Sequence, residues 1–175
     1  PSFEAYSNLG TFLFESARYA DAARMYEKAL EIDDSSYITW GNLAAACEVI
    51  HGEEERAAEC YRKALDLASD ALKLAPRDVG ILSSMATSHA ELGDTSSAME
   101  LIEEAARLSK NNEQVMFQIG LTHEVLGNRK EALDWIEMAL DEGYSRELVE
   151  STPALRELCT EERYRELSRR GSGHR

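Results

Sequence analysis

The chain has 175 residues, 43% of them hydrophobic, which suits one domain with a sizeable core. Its formal charge of −14, from 33 acidic against 19 basic residues, excludes the basic footprint that a nucleic-acid surface needs. No apolar run approaches the ~18 residues of a membrane span, and no basic-then-apolar leader opens the sequence, so neither a membrane nor a secretory signal is expected.

Phe3–Glu15 and Tyr19–Ile32 read as two amphipathic helices joined through Ala17-Arg18, making a hairpin over residues 3–36. The second hairpin, residues 37–78, pairs Tyr37–Ile50 with an unusually long helix from about Glu53 to Leu74, stopped by Pro76. The length comes from Ala64-Leu65-Asp66-Leu67-Ala68 being followed seven residues later by Ala71-Leu72-Lys73-Leu74-Ala75, which keeps nearly the same helical face. The Leu72–Leu74 edge must then pack on the next hairpin or stand as a bare ridge. In the third hairpin, residues 79–112, Gly93 suits a left-handed C-cap and Asp94 an N-cap. The fourth, residues 113–146, has Asn112 as N-cap and Gly143 as C-cap. Beyond it, helix starts are expected at Thr152-Pro153 and at Thr160 before Glu161-Glu162, giving short helices over 147–170 that cap the array. Residues 171–175 read as a flexible tail. The chain opens on Pro1 rather than an initiator methionine, so a piece of a longer protein is expected.

The hairpins repeat. Gly93 and Gly127 stand 34 residues apart, as do Ala98 and Ala132, and Ala105 and Ala139. A large–small pair in each first helix (Leu9-Gly10, Leu43-Ala44, Met85-Ala86, Ile119-Gly120) recurs at separations of 34, 42 and 34. This period and these pairs resemble the tetratricopeptide repeat, most closely at Tyr6, Leu9, Gly10, Tyr19, Ala22, Tyr26 and Ala29 and at Trp40, Leu43, Ala57, Tyr61 and Ala64. The resemblance spans about residues 3 to 146 and implies an all-α, right-handed superhelical solenoid. The usual turn glycine is missing at Ala17, and the usual closing proline survives only as Pro76. The closing segment from Ala139-Leu140 to Leu167 is similar to that of repeat arrays at the C-terminal end of bacterial multidomain signalling proteins, including kinases and adenylate cyclases.

Catalytic chemistry is not legible. No phosphate loop, serine–histidine–acid set or His-Glu-x-x-His occurs, and no cofactor is implied. His89 and His123 share one slot in adjacent hairpins. A metal enzyme built on them would need a third ligand that is not in register, so they read as spacers bonded to a neighbouring backbone or hydroxyl group. His51 falls in a turn and His174 in the tail. Cys47, Cys60 and Cys159 lack metal spacing and read as free thiols, which points to a reducing compartment and a cytoplasmic protein.

Binding is the alternative. The resemblance implies that the first helices line a concave groove, where Asn8, Asn42, Ser84 and Gln118 hold one equivalent slot and family members often grip the main chain of an extended peptide. Thr11, Val49, Thr87, Phe117 and Leu121 complete the expected groove, for a protein or peptide partner that is basic or apolar. The lysines and arginine that hold a chaperone's C-terminal carboxylate in some members are replaced here by Glu4 or Ser7, Gly80 and Ser84, so that partner is not expected. The second reading is a self-association module built on the unsealed first hairpin or the long Glu53–Leu74 helix.

Overall fold

The computed structural model describes residues 2–109 and 112–171. Among the described residues, ten α-helices carry the fold: α1 (Phe3–Glu15), α2 (Tyr19–Leu30), α3 (Tyr37–Glu48), α4 (Glu54–Leu74), α5 (Val79–Glu91), α6 (Thr95–Leu108), α7 (Glu113–Val125), α8 (Arg129–Asp141), α9 (Arg146–Ser151) and α10 (Glu162–Gly171). Consecutive helices pair as α1/α2, α3/α4, α5/α6 and α7/α8, and each second helix also packs on the next first helix. The result is an all-α superhelical solenoid, as expected. Its helices α2 and α3 end two residues short of Ile32 and Ile50.

The repeat is built on reused local chemistry. Ser2, Ser36, Asp78 and Asn112 hold one slot, and each side chain accepts from the backbone N–H three residues on. The turns inside the hairpins close in the same way. Gly93 (φ 79°) and Gly127 (φ 77°) take the left-handed conformation, and the glycine amide and the next one bond back to the preceding helix. Ala17 adopts the same turn with φ 57°, its N–H donating to the Phe14 carbonyl and that of Arg18 to Leu13. A missing glycine therefore changes the energy of that turn and leaves its geometry intact.

The core runs along the axis between first and second helices. Gly10 and Gly120 permit close approach: a Cβ on Gly10 would lie 2.6 Å from the Tyr26 ring, and one on Gly120 would lie 2.9 Å from Ile136. The long α4 resolves its two options one residue pair at a time. Ala68 is buried and Leu72 packs against Leu82, Ile81 and Met85, while Leu74 is 89% exposed.

After α8 the chain folds back over the array. Val149, Leu155, Leu158 and Tyr164 are buried against the fourth hairpin. Arg163 of α10 bridges Asp134 and Glu137 of α8 at 2.6 Å each, and Arg129 pairs with Glu124, Glu157 and Glu161. Pro153 starts a single 3₁₀ turn (Pro153–Leu155) rather than an α-helix. Thr160 ends a second such turn, with its hydroxyl donating to the Glu157 carbonyl, so α10 begins only at Glu162. Residues 172–175, which include most of the expected flexible tail and His174, lie outside the described residues.

Candidate groove on the concave face

The first helices α1, α3, α5 and α7 face inward and enclose two adjoining cavities of about 320 and 310 Å³. One lies between α1, α3, α7 and the segment from Tyr144 to Thr152, and the other between α3, α5 and α7. Asn42 and Gln118, with Ala45, Gln114 and Leu121, border both. Sequence reasoning placed Asn42 and Gln118 in one repeat slot, and the curvature brings them to the wall between the cavities.

The remaining expected residues divide. Thr11 and Phe117 line the first cavity, Ser84 and Thr87 the second, and Leu121 both. Asn8 and Val49 line neither. Asn8 is exposed on α1, one turn before the Thr11-Phe14-Glu15 wall that faces the cavity, and Val49 is the C-cap residue of α3. The polar ladder expected from the repeat register therefore enters the groove at three of its four rungs.

Hydrogen bonding separates structural from available groups. The Thr11 hydroxyl lies 3.2 Å from the Ser7 carbonyl and accepts from Tyr26 Oη at 3.2 Å, so it positions α1 against α2. Thr87 Oγ1 sits 3.3 Å from Gln118 Oε1 and 2.9 Å from Thr122 Oγ1, which ties α5 to α7. Asn42 is half-buried, and no described side chain or backbone group bonds its amide. It keeps two donors and a carbonyl acceptor directed to solvent or ligand.

Electrostatics favour a neutral-to-acidic lining. Glu15 is the charged member of the first cavity's wall, and the described lining of both cavities includes no lysine or arginine. Burial pushes the Tyr26 and Tyr144 phenols up to about 12, so both stay protonated at neutral pH. Phe117 and Tyr144 stack with ring centroids 4.3 Å apart. In the wall of the second cavity, Tyr61 donates to Glu48 Oε2 at 3.1 Å, and Glu48 faces Glu91 of the neighbouring first helix. Burial raises the Glu91 pKa well above the carboxylate range, and the facing Glu48 adds to the shift.

Several groove residues carried no repeat signal. Tyr144 follows α8 at the end of the fourth hairpin, and Leu148, Ser151 and Thr152 belong to the capping segment beyond the 34-residue register; all four reach the groove because the chain folds back. An aromatic residue directly after the helix-ending Gly143 was the available clue.

The histidines and cysteines have local roles. His89 Nδ1 lies 3.1 Å from Asp94 and His123 Nδ1 3.5 Å from Asn128, so each meets the N-cap residue of the following helix, a side chain rather than the backbone or hydroxyl partner expected. Cys47 and Cys60 are buried and Cys159 half-buried, with burial raising each thiol. The described residues contain no group of three or more His, Cys, Asp or Glu placed to hold a metal, and no helix long and apolar enough to cross a membrane.

Residues 3–32 match the sequence model of a family described as tetratricopeptide repeat. TTC0263, a thermophilic tetratricopeptide-repeat protein of Thermus thermophilus, is similar in structure, with 18% identity, a TM-score of 0.60, and coverage of 99% of this chain and 93% of its own. Weaker likenesses, both at TM-score 0.45 and 20% identity, are to MamA (80% of this chain, 77% of that one) and to YrrB, a repeat protein with an unusual peptide-binding site (93% and 80%). No curated protein sequence matches the chain.

Proposed function

We propose that this chain, which is a tetratricopeptide-repeat protein, is a non-catalytic interaction scaffold that takes an extended segment of a partner protein along its concave groove. The observation that carries the reading is the position of Asn42 and Gln118 at the wall shared by both cavities, with the Asn42 amide uncommitted. An extended segment exposes N–H and C=O groups that are costly to bury unpaired, and amide side chains satisfy both kinds. Phe117, Leu121 and Ile38 offer apolar contact to alternate side chains. Glu15 and the charge of −14 favour a partner with basic residues and make association sensitive to salt. The likeness of the closing segment to repeat arrays of bacterial signalling proteins makes a larger, cytoplasmic signalling protein the context of this reading.

The test is selection from a displayed library of random peptides, followed by fluorescence-polarisation titration. Selected sequences are expected to combine basic and apolar residues, and Asn42→Ala with Gln118→Ala is expected to weaken binding about tenfold or more with the circular-dichroism spectrum of the folded chain retained. Unchanged affinity in the folded double variant would move the site off this groove.

A further inference from the structure

The four first helices occupy equivalent positions, and their outer faces can be compared slot by slot. The slot of Leu9 is filled by Leu43, Met85 and Ile119, all buried, whereas Leu9 is 43% exposed. The slot of Phe12 is filled by Ala46, Ser88 and Thr122, each no more than 3% exposed, whereas Phe12 is 63% exposed. Ala5 stands where Thr39, Ile81 and Val115 are buried. The outer face of α1 thus continues the interface by which each hairpin packs on the one before it.

Its residue sizes do not suit a further hairpin of the same kind. Where a preceding hairpin covers this face, the slot of Phe12 holds a small residue and that of Ala5 holds Thr39, Ile81 or Val115. In α1 the pattern is inverted, with the large side chain at 12 and the small one at 5. Ser2, Ala5, Leu9, Phe12 and Ser16 alternate at three- and four-residue spacing, which is the seam by which two helices pack along one another. None of the five is charged, in a chain of net charge −14, so two copies can approach here without like-charge contact.

We propose that this face is closed by α1 of a second copy, antiparallel about a two-fold axis. In the antiparallel register, Leu9 packs on the partner's Phe12 and Phe12 on the partner's Leu9, with Ala5 facing Ser16 at both ends. The large residues of one helix then meet each other at the centre, and the small ones let the helix ends come close. A seam of one 13-residue helix is short, so the dimer is weak and reversible. The concave groove lies on another face of α1 and stays open in the dimer.

Sedimentation equilibrium of the full chain from about 5 to 500 µM tests this. The expected result is a reversible monomer–dimer equilibrium that Leu9→Glu with Phe12→Glu shifts at least tenfold toward monomer, while Phe12→Leu retains it. Because both side chains are exposed in the monomer, circular dichroism of the double variant should be unchanged. A wild-type chain that stays monomeric throughout overturns the proposal, and so does a dimer that the folded double variant leaves intact.

Discussion

Gly10→Ala tests how the first hairpin is assembled. A Cβ built on Gly10 would lie 2.6, 2.7 and 3.0 Å from Cε1, Cδ1 and Cζ of Tyr26. That ring cannot move aside easily, since it is 2% exposed and its hydroxyl bonds Thr11 at 3.2 Å. Overpacking of this kind costs about 1–3 kcal/mol, and the better helix propensity of alanine returns up to about 1 kcal/mol. With the ring held in place the upper part of the overpacking range applies, and a net loss of about 1–2 kcal/mol is expected. The repeat also supplies a compensating pair, because the equivalent positions hold Ala44 with Cys60 and Ala86 with Ile102. Tyr26→Ile alone should be destabilising through lost burial, but the double variant should be more stable than the sum of the singles by about 1–2 kcal/mol. Urea unfolding followed by circular dichroism measures all four corners of the cycle. A neutral Gly10→Ala, or an additive cycle, would refute the close contact on which this reasoning rests.

Two further substitutions probe the turn and the buried acid pair. Ala17→Gly should stabilise the chain by about 0.5–1 kcal/mol, because removing the side chain at φ 57° relieves the left-handed penalty while the glycine gives back part of it as unfolded-state entropy; loss of stability by urea unfolding would contradict the strained turn. Glu91 has a folded pKa above its unfolded value near 4.3, raised by burial and by the facing Glu48, which accepts from Tyr61. Between those two values the folded state holds more protons than the unfolded, so this group's contribution to stability falls as pH rises from the carboxylate range through neutrality. Glu91→Gln should flatten that slope and raise the unfolding temperature at pH 8 more than at pH 5, whereas parallel profiles would show that the pair is solvated.

The architecture was legible because its determinants are local and repeated. Ser36, Asp78 and Asn112 cap from one slot, Gly93 and Gly127 end helices from another, and alanines seven residues apart mark each second helix. What the register could not show is contact between parts of the chain outside it. The Glu48–Glu91 pair joins two hairpins whose spacing is 42 rather than 34, and each glutamate alone reads as a solvated helix end. Tyr144 and Thr152 reach the groove through a chain reversal without periodicity. The extra turns of α4 carried a two-way expectation, and only packing against α5 assigned Leu72 inward and Leu74 outward. Asn8 fits the register and still misses the groove, since equivalence along the chain fixes a position on a helix and not the angle at which the end helix meets the cavity.

The most direct test of the groove is an amide chemical-shift map of the folded chain titrated with a library-selected peptide. The largest shifts are expected to cluster on α3 and α7 around Asn42 and Gln118 and to extend to residues 144–152. Shifts confined to α2, α4 and α6 would place binding on the outer face and contradict a groove-binding scaffold.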